Sequence, residues 1–156
     1  MTIIDAIIGW MERIPHSFIA LLARLVIGLT FFLSGLTKVE GFHVTDAAIS
    51  LFAEEYQLPV LAPWLAAYMA ATLELTMPLL LFAGLATRFA ALALLGMTLV
   101  IEIFVYPEFY VMHGLWAVAL LMLIKYGAGE ISLDHLLRAR VLHQRVSKPT
   151  HHSSSL

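Results

Sequence analysis

Cysteine is absent from the 156 residues, which excludes a disulfide framework, a thiol redox couple and any iron–sulfur or cysteinyl zinc site. Charge is scarce as well: Asp, Glu, Lys and Arg make up 13% of the chain, about half their share in an ordinary soluble domain. The few basic residues gather at the ends of apolar runs, so no surface is available to grip nucleic acid. The first residues carry neither a basic leader nor a small-residue cleavage pattern and do not read as a signal peptide. No His, Asp or Glu spacing matches a metal site, so no metal is expected. No apolar run holds a central histidine to ligate a transmembrane haem. Redox chemistry on this chain would therefore need a bound organic cofactor.

Apolar side chains are abundant: 61% of residues are hydrophobic and the mean hydropathy is +0.89. That is too apolar for a soluble domain and identifies an integral membrane protein. Four runs, at residues 17–37, 62–84, 87–106 and 110–127, each reach the ~20 residues a helix needs to span a bilayer. The predicted fold is all-α, an integral membrane four-transmembrane-helix bundle. Three shorter stretches read as amphipathic helices at the interface. Residues 2–14 place Ile3, Ile4, Ile7, Ile8 and Met11 at helical spacing, with Trp10 suited to the headgroup level. Residues 45–56 start at a Thr45 N-cap and carry an apolar stripe of Ile49, Phe52 and Tyr56. Residues 132–145 start at Ser132 and interleave leucines with arginines. Residues 1–146 thus form one membrane domain. Residues 147–156 are polar and of low complexity, which predicts disorder, and makes His151 and His152 tail residues rather than ligands.

An even number of spans returns both termini to one side. That side collects Arg13, Arg88, Lys125, Arg138, Arg140, Arg145 and Lys148, while the other holds only Lys38, so the positive-inside rule assigns both termini to the cytoplasm.

The chemistry sits where charge is expensive. Glu74 lies inside the second span, and an ionised acid in the hydrocarbon needs a partner, a cavity or a proton. In the first span Arg24, Gly28, Phe31, Gly35 and Lys38 share one helical face, small residues in its middle favouring close packing. At ~1.5 Å per residue, Arg24 lies ~10 Å and Glu74 ~15 Å from the cytoplasmic side, which predicts a pair between them. Lys38, Glu102 and His113 then form a second polar layer nearer the outer boundary. Arg24 with Glu74 is the candidate catalytic site; Lys38, Glu102 and His113 are candidate cofactor-binding residues. The Arg24–Glu74 pair reads equally as a buried ion pair fixing helix register and as a substrate or proton site. Trp64, Tyr106, Tyr110 and Trp116 are expected in an interfacial aromatic belt.

These residues carry a resemblance. Arg24, Gly28, Ser34-Gly35 and Lys38 in the first span, Glu74, Gly84 and Thr87-Arg88 around the second turn, and Gly127, Gly129 and Ser132-Leu133-Asp134 after the fourth span resemble the DoxX family over about residues 22–137. The Tyr106-Pro107 loop followed by His113 and Trp116 is similar to one branch of that family. The resemblance implies a four-helix protein of the bacterial inner membrane, a subunit of an oxidoreductase complex with a protein partner and quinone as the possible cofactor. It carries no catalytic residues over, and the missing cysteines separate this chain from four-helix quinone reductases that use a Cys-x-x-Cys pair. The alternative is a non-enzymatic membrane scaffold, assembly factor or small-molecule carrier.

Overall fold

The computed structural model describes residues 2–146, so the stretch expected to be disordered lies outside the described residues. Thr2 opens helix α1 (Ile3–Met11) with a capping box, its hydroxyl accepting from the Asp5 N–H and the Asp5 carboxylate accepting from the Thr2 N–H. None of the α1 residues is buried, as suits a helix lying in a membrane surface. Pro15 then starts α2 (His16–Leu36), which ends in a two-residue hairpin pairing Val39 with Val44 and Glu40 with His43. Thr45 caps α3 (Asp46–Leu51), and α3 runs on as a π-turn, Phe52–Tyr56. The remaining helices are α4 (Pro63–Ala83), α5 (Thr87–Val100), which also continues as a π-turn over Ile101–Val105, α6 (Tyr110–Tyr126) and α7 (Leu133–Val146).

Four of these segments are long and apolar enough to cross a membrane: His16–Leu36, Pro63–Ala83, Thr87–Val105 and Pro107–Tyr126. They form a ring in which α2 packs on α4 and α6, and α5 packs on α4 and α6. Ile27, Phe31, Leu81, Leu94, Leu120 and Leu123 fill its middle. Large apolar side chains such as Leu22, Leu29, Leu79, Phe89 and Leu121 point outward and are exposed, the expected surface of a bundle whose solvent is lipid. The fold is the all-α membrane bundle that the sequence predicts. We call the side bearing the start of α2, the end of α6 and α7 the terminal face and the side bearing the hairpin and α3 the far face.

Two close approaches set the register. A Cβ on Gly35 would stand 3.0 Å from Glu74 and Leu75 side-chain atoms, so the missing side chain lets α2 and α4 pack backbone to backbone. Gly84 closes α4 at φ +64, and its N–H donates to the Leu81 carbonyl while the Leu85 N–H reaches Leu80, a Schellman end that favours glycine. A Cβ on Gly84 would also overlap the Arg24 guanidinium and the Ser132 backbone.

Arg24 stands eight residues into α2 and yet lies against Gly84, beyond the last residue of α4. The two helices are therefore offset along their axes by ~12 Å. On the far face the overhanging start of α4 is covered by α3 and its π-turn, with Phe52 packed on Ala66, Ala67 and Ala70. On the terminal face the overhanging start of α2 is covered by the loop after α6: Glu130 N–H donates to Ser17 Oγ at 3.0 Å and Arg24 Nη2 donates to the Ile131 carbonyl at 2.7 Å.

Candidate functional site

The offset decides which charges meet. Glu74 does not pair with Arg24. The expected pair rests on measuring depth from helix ends taken as level, whereas the stagger lifts Glu74 to the height of Ser34 and Gly35, where the chain leaving α2 turns Lys38 back inward. Lys38 Nζ donates to Glu74 Oε2 at 2.7 Å, with side chains 7% and 5% exposed. The ammonium also donates to Ser34 Oγ at 3.0 Å and to the Ser34 carbonyl at 3.3 Å, and Ser34 Oγ donates to Glu74 Oε1 at 3.4 Å. All three ammonium protons and both carboxylate oxygens thus have partners, which a buried ion pair needs to offset its desolvation. Pro78, also buried in α4, lacks the N–H that would bind the Glu74 carbonyl, so the backbone at Glu74 keeps an acceptor free.

Arg24 is buried at the other end of the bundle, 1% exposed. It holds the loop before α7 and takes no part in the interior pair. The acid whose charge it feels is Asp134 of α7. Asp134 accepts from the N–H groups of Ala86 at 2.8 Å and Thr87 at 3.1 Å. It is an N-cap for α5 supplied from 47 residues away in the chain.

The remaining expected residues lie on the far side of the ring. Glu102 sits in the π-turn that ends α5, a widened turn of a kind frequent at functional sites, and its Oε2 is 2.6 Å from His113 Nδ1. His113 is buried and Glu102 is 28% exposed along its side chain. The bond to Nδ1 leaves His113 Nε2 without a protein partner among the described residues.

A cavity of about 460 Å³ joins the Lys38–Glu74 pair to His113. Lys38, Glu74 and Ser34 line one wall, and His113, Trp116 and Met112 line another. The expected layers are redrawn: Lys38 moves from the outer layer to Glu74, Arg24 drops out, and His113 faces the Lys38–Glu74 pair across one space. Apolar groups, among them Phe52, Leu61, Ala70, Met97 and Ile101, form the rest of the lining. Few convergent polar groups in a mostly apolar hollow of this size are the usual make-up of a small-molecule site.

Two phenols that the sequence does not single out as site residues, or assigns to the belt, close the far side. Tyr56 and Tyr106 both line the cavity, their rings edge to face at 5.7 Å, in a row with Phe52 and Phe109. The Tyr106 hydroxyl donates to the Glu55 carboxylate, and that bond holds the phenol well above its usual range. Burial pushes the Tyr56 phenol up as well. Both therefore stay protonated as hydrogen-bond donors. Trp116 also leaves the expected belt, packing on Phe31 and His113, whereas Trp64 and Tyr110 are exposed at the rim. Ser34 carried a readable signal, one helical turn before Lys38; the π-turns that aim Tyr56 and Glu102 carried none.

A second, larger hollow of about 690 Å³ lies on the terminal face among Pro15, Arg88, Gly129 and Arg138. It is bordered by connecting segments and exposed charges, so the interior cavity, with its buried polar groups, is the better candidate despite its smaller volume. Among the described residues no three His, Asp or Glu side chains converge to hold a metal ion.

Comparison with known proteins places this architecture. No solved structure matches the chain. An uncharacterized protein of Haemophilus influenzae is 31% identical over 140 residues, covering 82% of this chain and 89% of the relative. The DoxX family model matches residues 19–107, from the first span through the Glu102 π-turn. That match takes in Arg24, Lys38, Glu74 and Glu102 and more than half of the chain, and the chain belongs to the DoxX family.

Proposed function

We propose that this protein is a quinone-interacting subunit of a membrane oxidoreductase complex, binding the quinone ring in the interior cavity. The observation that carries the reading is that the buried Lys38–Glu74 pair and the buried His113, which Glu102 backs, line one largely apolar space of about 460 Å³. A quinone ring needs apolar walls for its faces and a hydrogen-bond donor for each carbonyl. His113 Nε2 donates to one carbonyl when its imidazole carries both protons; the Tyr56 hydroxyl stands at the other end, the Tyr106 proton being taken by Glu55. Reduction takes up two electrons and two protons per ring. A redox protein partner brings the electrons, and Glu102, part exposed behind His113, returns protons to the imidazole.

The same reading sets the protein in the bacterial inner membrane with its termini in the cytoplasm. Arg13, Arg88 and Lys125 lie on the terminal face, whereas Lys38, the one far-face Lys or Arg among the described residues, is consumed by Glu74.

The test is quinone retained by detergent-purified protein, and its loss in His113→Phe. That substitution leaves Glu102 able to reach water, so the bundle should still assemble. Parent protein that carries no quinone and instead co-purifies with a stoichiometric partner, without redox activity, would establish the scaffold or carrier reading in its place.

A further inference from the structure

The cavity has a side door. Its lining runs outward between α4 and α5, where Met69 and Leu73 form one lip and Ala93, Gly96 and Val100 the other. Met69 is 46% and Val100 40% exposed, and Gly96 is exposed too, so these lips belong at once to the cavity and to the lipid-facing surface. A Cβ on Gly96 would meet no atom within 4 Å, so this lip has open space in front of it. From Ala93 to Val100 the slot is ~10 Å long.

Its depth identifies what passes through. Gly96 is the midpoint of the Thr87–Val105 span, nine residues or ~14 Å from either end, so the slot opens deep in the hydrocarbon layer, away from the phospholipid headgroups. On the far face, by contrast, the row of Phe52, Tyr56 and Tyr106, pinned by the Tyr106–Glu55 bond, lies over the end of the cavity.

We infer that the α4–α5 slot is a lateral portal for a lipid-dissolved quinone with a long prenyl tail, the ring entering from the hydrocarbon layer and the tail remaining in the slot. This deepens the quinone reading and rests on it. The portal fixes the ligand class: a tailed, membrane-resident quinone in place of a water-soluble one. Gly96, Met69 and Ala93 become specificity residues that contact the tail, separate from the ring contacts at His113.

The experiment uses full-length protein in lipid nanodiscs with Trp10→Phe and Trp64→Phe, so that saturable quenching of Trp116 reports ring binding. Two probes are titrated, a decyl-tailed benzoquinone and its tail-less parent ring. Gly96→Leu fills the slot from an open position, and Met69→Phe narrows it independently from the opposite lip without adding a second tryptophan. The expected result is a Kd for the tailed probe weakened about tenfold or more in both variants, with the tail-less probe held within about twofold. Unchanged binding of the tailed probe in both variants overturns the portal. Equal loss of both probes in both variants also overturns it, since the substitutions would then act on the ring site. If the unsubstituted protein quenches with neither probe, the quinone reading itself falls and the portal with it.

Discussion

At the scale of single residues, the Lys38–Glu74 bond is where sequence and structure part most usefully. The two charges share a buried contact of 2.7 Å, so removing one leaves the other buried without a counter-charge, at a cost of about 3–5 kcal/mol. Lys38→Met should therefore destabilise the bundle by that order. Lys38→Met with Glu74→Leu should recover most of the loss, because two apolar groups need no compensation. Denaturant titration of the purified variants in detergent measures both, and additive losses would show that the pair is not coupled. Arg24 gives the contrast: Arg24→Met should add to either Lys38 or Glu74 substitution without coupling, since its contacts are Ile131 and the Gly84 turn. The charged residues themselves were legible, because a Glu or Arg in an apolar run is conspicuous. Their pairing was not. It depends on an offset of ~12 Å between two helices of equal length, and nothing in one span's periodicity reports where its neighbour begins.

At the scale of elements, the four spans were plain in the sequence because bilayer thickness forces each to about the same apolar length. The π-turns ending α3 and α5 were not, since one extra residue in a turn leaves no mark on a short apolar pattern; yet those turns carry Tyr56 to the cavity and Glu102 to His113. The role of α7 was equally hidden. Its arginines suggest a helix held by the membrane surface alone, but Asp134 fastens it to the bundle by capping α5, where Ala86 sits at φ +47 and exposes its N–H. Asp134→Ala should cost about 1 kcal/mol, the usual value of a lost N-cap, and should loosen both ends of the contact together. Hydrogen exchange is the direct measure: faster exchange is expected at Ala86 and Thr87 and through the first turn of α7, with the Lys38–Glu74 region unchanged. Faster exchange in α7 alone would mean that the α5 terminus is capped by other means.

For the whole molecule, charge distribution is the strongest argument about how the bundle sits. The offset helices give each face its own cover, the hairpin and α3 on one side and the 127–132 loop with α7 on the other, and the two covers differ in charge. Around α3 the exposed groups include Glu54 and Glu55; α7 and its neighbours present Arg88, Arg138 and Arg140. With Lys38 neutralised inside, no free cation among the described residues opposes placement of the far face outside. Phe42, fully exposed at the hairpin tip, and Glu130, exposed in the loop before α7, mark the two faces. Because the chain contains no cysteine, Phe42→Cys and Glu130→Cys each introduce a single thiol into an otherwise unreactive protein. A membrane-impermeant maleimide should label Phe42→Cys in intact bacterial cells and reach Glu130→Cys only after permeabilisation. The opposite pattern would turn the bundle over. It would put the Tyr106–Glu55 roof and the Glu102 proton path on the cytoplasmic side, where a soluble electron donor would approach the ring through the roof.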